Sequence, residues 1–209
     1  MKFYDCATAP SPRRVRIFIA EKGLDIPVVQ VDLRSREQLT EGFLAINPHG
    51  TVPVLELDDG TALLDSNSIC LYLDETYEQN NLMGRDPKEK AVIAGWNRMA
   101  EWDGLAAGAE ALRNHAKGMQ GRALTGPVDY EQIPELAERG RKRAAHFLEE
   151  LDQRFGESEF LAGDRFTIAD ITALVSVDFF KWVKVEPVDG QTSLARWYAQ
   201  VSSRPGAVD

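Results

Sequence analysis

In this chain of 209 residues, two short steps combine residue types suited to holding an anion: Ser11-Pro12 and Asp65-Ser66. Each reads as the opening of a helix. A serine at the N-cap offers its oxygen to an orphan amide, and a proline at the first helical position has no amide to leave unpaired. The amides of a helix start also favour a carboxylate brought from outside, although Asp65 reads as well as a plain N-cap of its own helix. Arg13, Arg14 and Arg16 gather positive charge beside the first start; the alternative is a solvated helix face paired with acids such as Glu21. Thiol chemistry has Cys6 and Cys70, which show neither CxxC nor metal-type spacing. Both read as small buried apolar residues, so a disulfide scaffold and a metal site are not expected. Imidazole chemistry has His49, His115 and His146.

Composition narrows the partners. The net charge is -9, so the long-range field repels nucleic-acid backbones and anionic membranes, and any anion site must be built locally. At 44% apolar and 27% charged the chain has the makings of a real core. It has no apolar run long enough to span a bilayer, and its start lacks the apolar stretch of a signal peptide. A cytoplasmic protein is expected.

The elements that must position these residues change character along the chain. Residues 2–6 read as a strand, and a helix runs from Ser11-Pro12 to about Lys22, where Gly23 stops it. Residues 27–32 read as a second strand, with a polar helical stretch over about 35–45. Two strands, Pro53–Leu57 and Thr61–Leu64, are joined by Asp58-Asp59-Gly60; Asp-Gly is a hairpin signal because both turn positions tolerate positive φ. Asp65-Ser66 then opens a helix to about Tyr77. The order βαβαββα is that of a thioredoxin-like α/β domain, placed at residues 1–79.

A turn-rich linker, 80–86, leads to an all-α region, 87–209. One helical run spans 87–115. A second, 134–155, puts Ala144, Phe147, Leu148, Leu151 and Phe155 on one face. Thr167-Ile168-Ala169-Asp170 fits a capping box, with Phe166 and Ile171 at staple positions. The helix it starts is apolar nearly all round through Phe180 and belongs in the centre of a bundle. A last helix covers about 192–203.

With the motifs added, this layout resembles a family. Asn47-Pro48-His49-Gly50-Thr51-Val52-Pro53-Val54-Leu55 resembles the NPxGxVPxL segment of cytosolic glutathione transferases. Asp65-Ser66-Asn67-Ser68-Ile69 resembles their (E/D)SxAI segment, and Phe166 to Asp170 resembles the capping box of their sixth helix. The similarity covers nearly the whole chain, and the motifs are specific together though not singly. It implies that Val52 pairs with the cysteinyl backbone of glutathione like an added strand. It also implies a cis Pro53 that turns the Val52 amide and carbonyl toward the ligand, although a plain edge-strand proline fits Pro53 as well. By the same resemblance Ser66 holds the γ-glutamyl carboxylate and Asp65 the ammonium. Gln38 falls near the glycyl carboxylate, where a solvated helix residue is its plain alternative. Thr51 stands where several classes have Lys for that carboxylate, so one charged contact is missing. No cofactor is implied beyond glutathione as substrate, and the family forms homodimers.

The resemblance is imperfect at the thiol. The usual Ser or Cys position falls on Ala9, which donates nothing, and Tyr4 reads as core. The chain is also similar to an atypical fungal and bacterial branch that lacks the standard Tyr, Ser or Cys. That leaves the start of the first helix with its arginines and Ser11 as the thiolate donor, unless Ser11 serves only as N-cap. Val92, Trp96, Met99, Asp103 and Ala106 fall on one helical stripe, where a carboxylate needs a partner. The resemblance implies that Asp103 reaches the γ-glutamyl ammonium across the dimer, with an intersubunit salt bridge as the alternative. His115 is placed facing the electrophile cleft, holding a water near the thiol, with a surface histidine as the plain reading. The expected function is conjugation of the glutathione thiolate to small hydrophobic electrophiles. Glutathione-dependent disulfide reduction and a non-catalytic binding module are the alternatives.

Overall fold

The computed structural model describes residues 1–208. Its N-terminal domain is built on one four-stranded sheet of order β2-β1-β3-β4. β1 (Lys2–Asp5) runs parallel to β2 (Val28–Gln30) and antiparallel to β3 (Val54–Glu56), and β4 (Ala62–Leu63) pairs antiparallel with β3. Strand side chains alternate between faces. Phe3 and Leu55 therefore enter one core with Val15, Phe18, Ile69 and Leu73, while Tyr4 and Val54 enter a second with Phe43. The first face carries α1 (Pro10–Glu21) and α3 (Ser66–Thr76), and the second carries α2 (Glu41–Ile46). At the hairpin Leu57 donates to Thr61 O (2.8 Å), and Gly60 alone takes positive φ (87°). The connection is thus a three-residue loop closed by a glycine, not a two-residue turn with both centres left-handed.

The helical domain follows. α4 (Pro87–Met99) passes through a π-helical segment, Ala100–Leu105, into α5 (Ala106–Arg113). α6 (Pro134–Glu157) buries Ala144, Phe147, Leu148, Leu151 and Phe155, the face expected from its periodicity. α7 (Ile168–Phe180) is central: every residue except Asp178 is buried, and the Thr167–Asp170 capping box forms as expected. α8 (Thr192–Ser202) closes the bundle, with Trp197 stacked on Phe155 at 4.4 Å.

The predicted stripe is one residue out of phase. Val92, Trp96, Met99, Asp103 and Ala106 have the spacing of the buried face but start one residue early, and the offset is already present in α4, before the π segment. The buried side is Ile93, Asn97, Ala100, Gly104, Ala107 and Ala111, whereas Val92 is exposed and Asp103 is half-exposed. Gly104 is needed where the segment presses on α7, because a Cβ there would lie 2.6 Å from Ser176 Oγ.

Candidate active site

The loop between β1 and α1 is held from beneath. Arg16 Nη1 donates to the buried Asp5 Oδ1 (2.6 Å), and its Nη2 donates to Ala7 O (2.9 Å). Gln30 Nε2 donates to Asp5 Oδ2 (2.8 Å) while its Oε1 accepts from Ala7 N (3.1 Å). This grip starts α1 earlier than expected. Ala9 is the N-cap and makes no side-chain cap, Pro10 is the first helical residue, and Ser11 lies inside the first turn. Ser11 is therefore not the cap. Pro10 and Pro12 have no N–H, so Ser11 carries the only amide before Arg13, whose own N–H bonds Ala9 O (3.3 Å). Among the described residues neither the amide nor the hydroxyl of Ser11 has a partner.

A second helix start is tied to the first. Ser66 Oγ donates to Ser11 O (2.9 Å), which brings the N-termini of α1 and α3 together. Asp65 caps α3, its Oδ1 accepting from Asn67 N (2.9 Å) and Ser68 N (3.1 Å). The capping reading of Asp65 thus holds in this structure, with the carboxylate still exposed. Because the Ser66 hydroxyl is committed to Ser11, its amide is the group left without a partner among the described residues. The Val52–Pro53 bond is cis, as the resemblance implies. The amide and carbonyl of Val52 join no ladder and have no backbone partner among the described residues.

The three arginines are paired, though not with Glu21, which holds Arg204. Arg13 reaches Asp178 of α7 (2.7 Å), the buried Arg14 reaches Glu101 (2.6 Å), and Arg16 reaches Asp5. Arg13 and Arg14 thereby join the two domains. Burial opposes ionisation of Asp178, but hydrogen bonds from Lys181, Tyr198 and Arg13 outweigh it and hold the carboxyl below its usual range. Beside Ala9 a cavity of about 70 Å³ is lined by Thr8, Pro10, Val175, Phe179 and Trp182. Trp182 is 54% exposed and packs edge-on to Phe179 (5.4 Å).

Other predicted positions separate. Gln38 sits half-buried in a 3-10 turn, Glu37–Leu39, and its Oε1 has no partner among the described residues. Thr51 is occupied locally, its carbonyl accepting from Asn47 Nδ2 (2.8 Å). His115 is exposed and does not line the cavity beside Ala9, because α5 ends at Arg113 and carries it away. Asp103 lies on no apolar stripe; it pairs with Arg143 of α6 (3.5 Å), so its need for a partner is met within the chain. Cys6 and Cys70 are both buried, and burial raises the Cys70 thiol far above its ordinary value. Sequence reasoning missed Trp182, Asp178 and Glu101. An exposed Trp after an apolar helix, and the one acid in that helix beyond the capping-box Asp170, were the available signals.

Comparison with known proteins covers the whole chain. The model of the glutathione S-transferase N-terminal domain matches residues 3–81, and that of the C-terminal domain matches 116–205. Glutathione S-transferase 2 of Saccharomyces cerevisiae is 35% identical over 98% of this chain and 87% of its own length. The crystal structure of a glutathione S-transferase domain-containing protein from Marinobacter aquaeolei VT8 superposes with a TM-score of 0.91. It is 40% identical and covers 99% of this chain and 100% of that one. Gtt2 from Saccharomyces cerevisiae superposes with a TM-score of 0.90 at 34% identity, over 100% of this chain and 99% of its own.

Proposed function

Because the chain belongs to the glutathione S-transferase family, we propose that it binds glutathione across the paired starts of α1 and α3 and adds its thiolate to a small hydrophobic electrophile. The observation that carries this reading is the Ser66–Ser11 hydrogen bond (2.9 Å), which sets two helix N-termini side by side. A helix start carries about half a positive charge. One terminus takes the γ-glutamyl carboxylate on the Ser66 amide, and the other stabilises the thiolate. The Val52 amide and carbonyl pair with the cysteinyl backbone, and Gln38 faces the glycyl end. The thiolate attacks the electrophilic carbon, the S–C bond forms as the leaving group departs with its electron pair, and the thiol proton passes to water. The electrophile sits against Val175, Phe179 and Trp182.

Ser11 is the donor this arrangement offers in place of the residue missing at Ala9. Free of capping, its hydroxyl is available to the sulfur. Ser11→Ala is expected to lower kcat/KM for an activated aryl halide about tenfold or more and to raise the bound thiol pKa by about one unit, the worth of one hydrogen bond to an anion. The bond from Ser66 reaches the Ser11 backbone and survives the change. An unaltered rate together with an unaltered thiol pKa would show that the donor is another group.

Asp65 has two separable duties, because capping needs an acceptor oxygen and the ammonium needs a charge. Asp65→Asn retains the oxygen, so thermal stability is expected to hold while glutathione affinity by calorimetry falls roughly tenfold. Equal loss of both would reduce Asp65 to a cap. A groove of about 270 Å³ between α3 and α4, lined by Leu71, Met83, Ile93 and Ala94, supports pairing with a second copy of the chain. No helix among the described residues is long and apolar enough to cross a membrane.

A further inference from the structure

The connection from α5 to α6 folds on itself and then crosses to the other domain. Arg113 Nη1 donates to Arg122 O (2.7 Å) and Leu124 O (3.2 Å), and Gln132 Nε2 donates to Arg113 O (2.7 Å). Tyr130 N donates to Gly121 O (3.0 Å), and Ala123 N to Tyr130 O (3.1 Å). These bonds make a structured strap whose tip projects from a fixed base. The tip meets the N-terminal domain at two points. Asp129 accepts from Arg36 Nη2 (3.2 Å), and Gly126 lies so near His49 that an added Cβ would stand 3.3 Å from its carbonyl oxygen. Gly126 also has φ +108°, a conformation that favours glycine.

Both contact points belong to one patch. Arg36 is the N-cap of the turn bearing Gln38. The residue after His49, Gly50, packs on that same turn, where a Cβ would lie 3.2 Å from Gln38 O. We propose that the 116–130 strap roofs the glycyl end of the thiol site, so that the enzyme accepts a γ-glutamyl-cysteinyl thiol that stops at glycine and rejects one extended beyond it. The inference rests on the glutathione reading, which places the glycyl carboxylate at Gln38. Arg36 and Asp129 are both well exposed (49% and 69%), so their pair is weak and the strap lifts locally to exchange ligand.

Calorimetry on the full chain tests this with glutathione and two neutral-ended analogues. One is glutathione methylamide; the other is glutathione lengthened by two glycines and ended as an amide. Both lack the glycyl charge, so their ratio reads room and not charge. The longer analogue is expected to bind about tenfold or more weakly than the methylamide. In Asp129→Ala the ratio is expected to fall toward one with the unfolding midpoint unchanged; in Gly126→Ala/Asp129→Ala it is expected to fall further, with a lower midpoint because alanine is strained at the positive φ of Gly126. Equal binding of the two analogues to the unaltered protein, or a ratio that the variants leave in place, overturns the strap while glutathione binding stands. Absence of glutathione binding overturns the glutathione reading and the strap with it.

Discussion

Replacing Lys22 by Met is expected to lower the stability of the protein by about 3–5 kcal/mol, read as a fall in the urea unfolding midpoint. Lys22 ends α1 and is fully buried, with its ammonium 2.7 Å from Asp74 Oδ1 of α3. The pair organises the chain that leaves the N-terminal domain. Lys22 Nζ donates to Tyr77 O (2.6 Å) and Gln79 O (3.0 Å). Asp74 accepts from Leu82 N (3.0 Å), Met83 N (3.1 Å) and Asn81 Nδ2 (2.7 Å). Removing the ammonium leaves a buried carboxylate without a counter-charge and two linker carbonyls without donors. An apolar pair often replaces a simple buried ion pair at little cost. Here Lys22→Met/Asp74→Leu should remain destabilised, because the amides of Leu82 and Met83 would then lack acceptors. A double variant as stable as the parent, or a single variant within about 1 kcal/mol of it, would mean that water satisfies the linker.

What the sequence disclosed follows the range of the interaction that decides each feature. The α6 face and the Thr167–Asp170 box rest on neighbours three and four apart, and both form where patterning puts them. The start of α1 does not follow from local chemistry. In Ala9-Pro10-Ser11-Pro12 two prolines each suit a first helical position, and Ser11 looks the better cap than Ala9. The choice is made by Arg16 holding the loop carbonyls and by Ser66 arriving from 55 residues away. The same holds for Arg13 and Asp178, which lie 165 residues apart. The stripe through Asp103 fails for the same reason: two stripes one residue apart share one spacing, and packing on α7, with Asn97 against Thr172 and Gly104 against Ser176, selects the one through Ile93. Of the candidate site, Val52, Pro53 and Ser66 were legible because backbone conformation or a helix start defines them. Trp182 and the strap were not, because only the packing of two domains brings them to the cleft.

Asp170→Ala is expected to cost roughly 4 kcal/mol or more, near the top of the range for one substitution. The carboxyl is fully buried and accepts from Leu161 N (2.8 Å), Trp197 Nε1 (3.0 Å), Thr167 N (3.0 Å) and Thr167 Oγ1 (3.2 Å). It joins the start of α7, the turn before it and the Trp197 of α8, so truncation orphans donors in three places at once. The pH dependence carries a separate signature. Burial pushes the Asp170 carboxyl up to about 6, against the downward pull of those hydrogen bonds. Because the folded value lies above the unfolded one, the native state binds more protons between about pH 4 and 6. The contribution of Asp170 is therefore fully present below that window and is lost as the pH rises through about 6. Asp178 and Glu89 titrate in the opposite sense, since ion pairing and hydrogen bonding hold both carboxyls below their usual range, and acid removes the stability they give. In Asp170→Asn the rising counterweight disappears, and one donor is left facing the new amide nitrogen. The variant should be less stable than the parent at about pH 7, and the gap between them should widen by about 2–3 kcal/mol on acidification to about pH 4, the worth of a two-unit shift. Urea midpoints across that range measure it. A gap that stays constant would mean that the buried carboxyl keeps one protonation state throughout, with its four donors and not its charge setting the stability of the bundle.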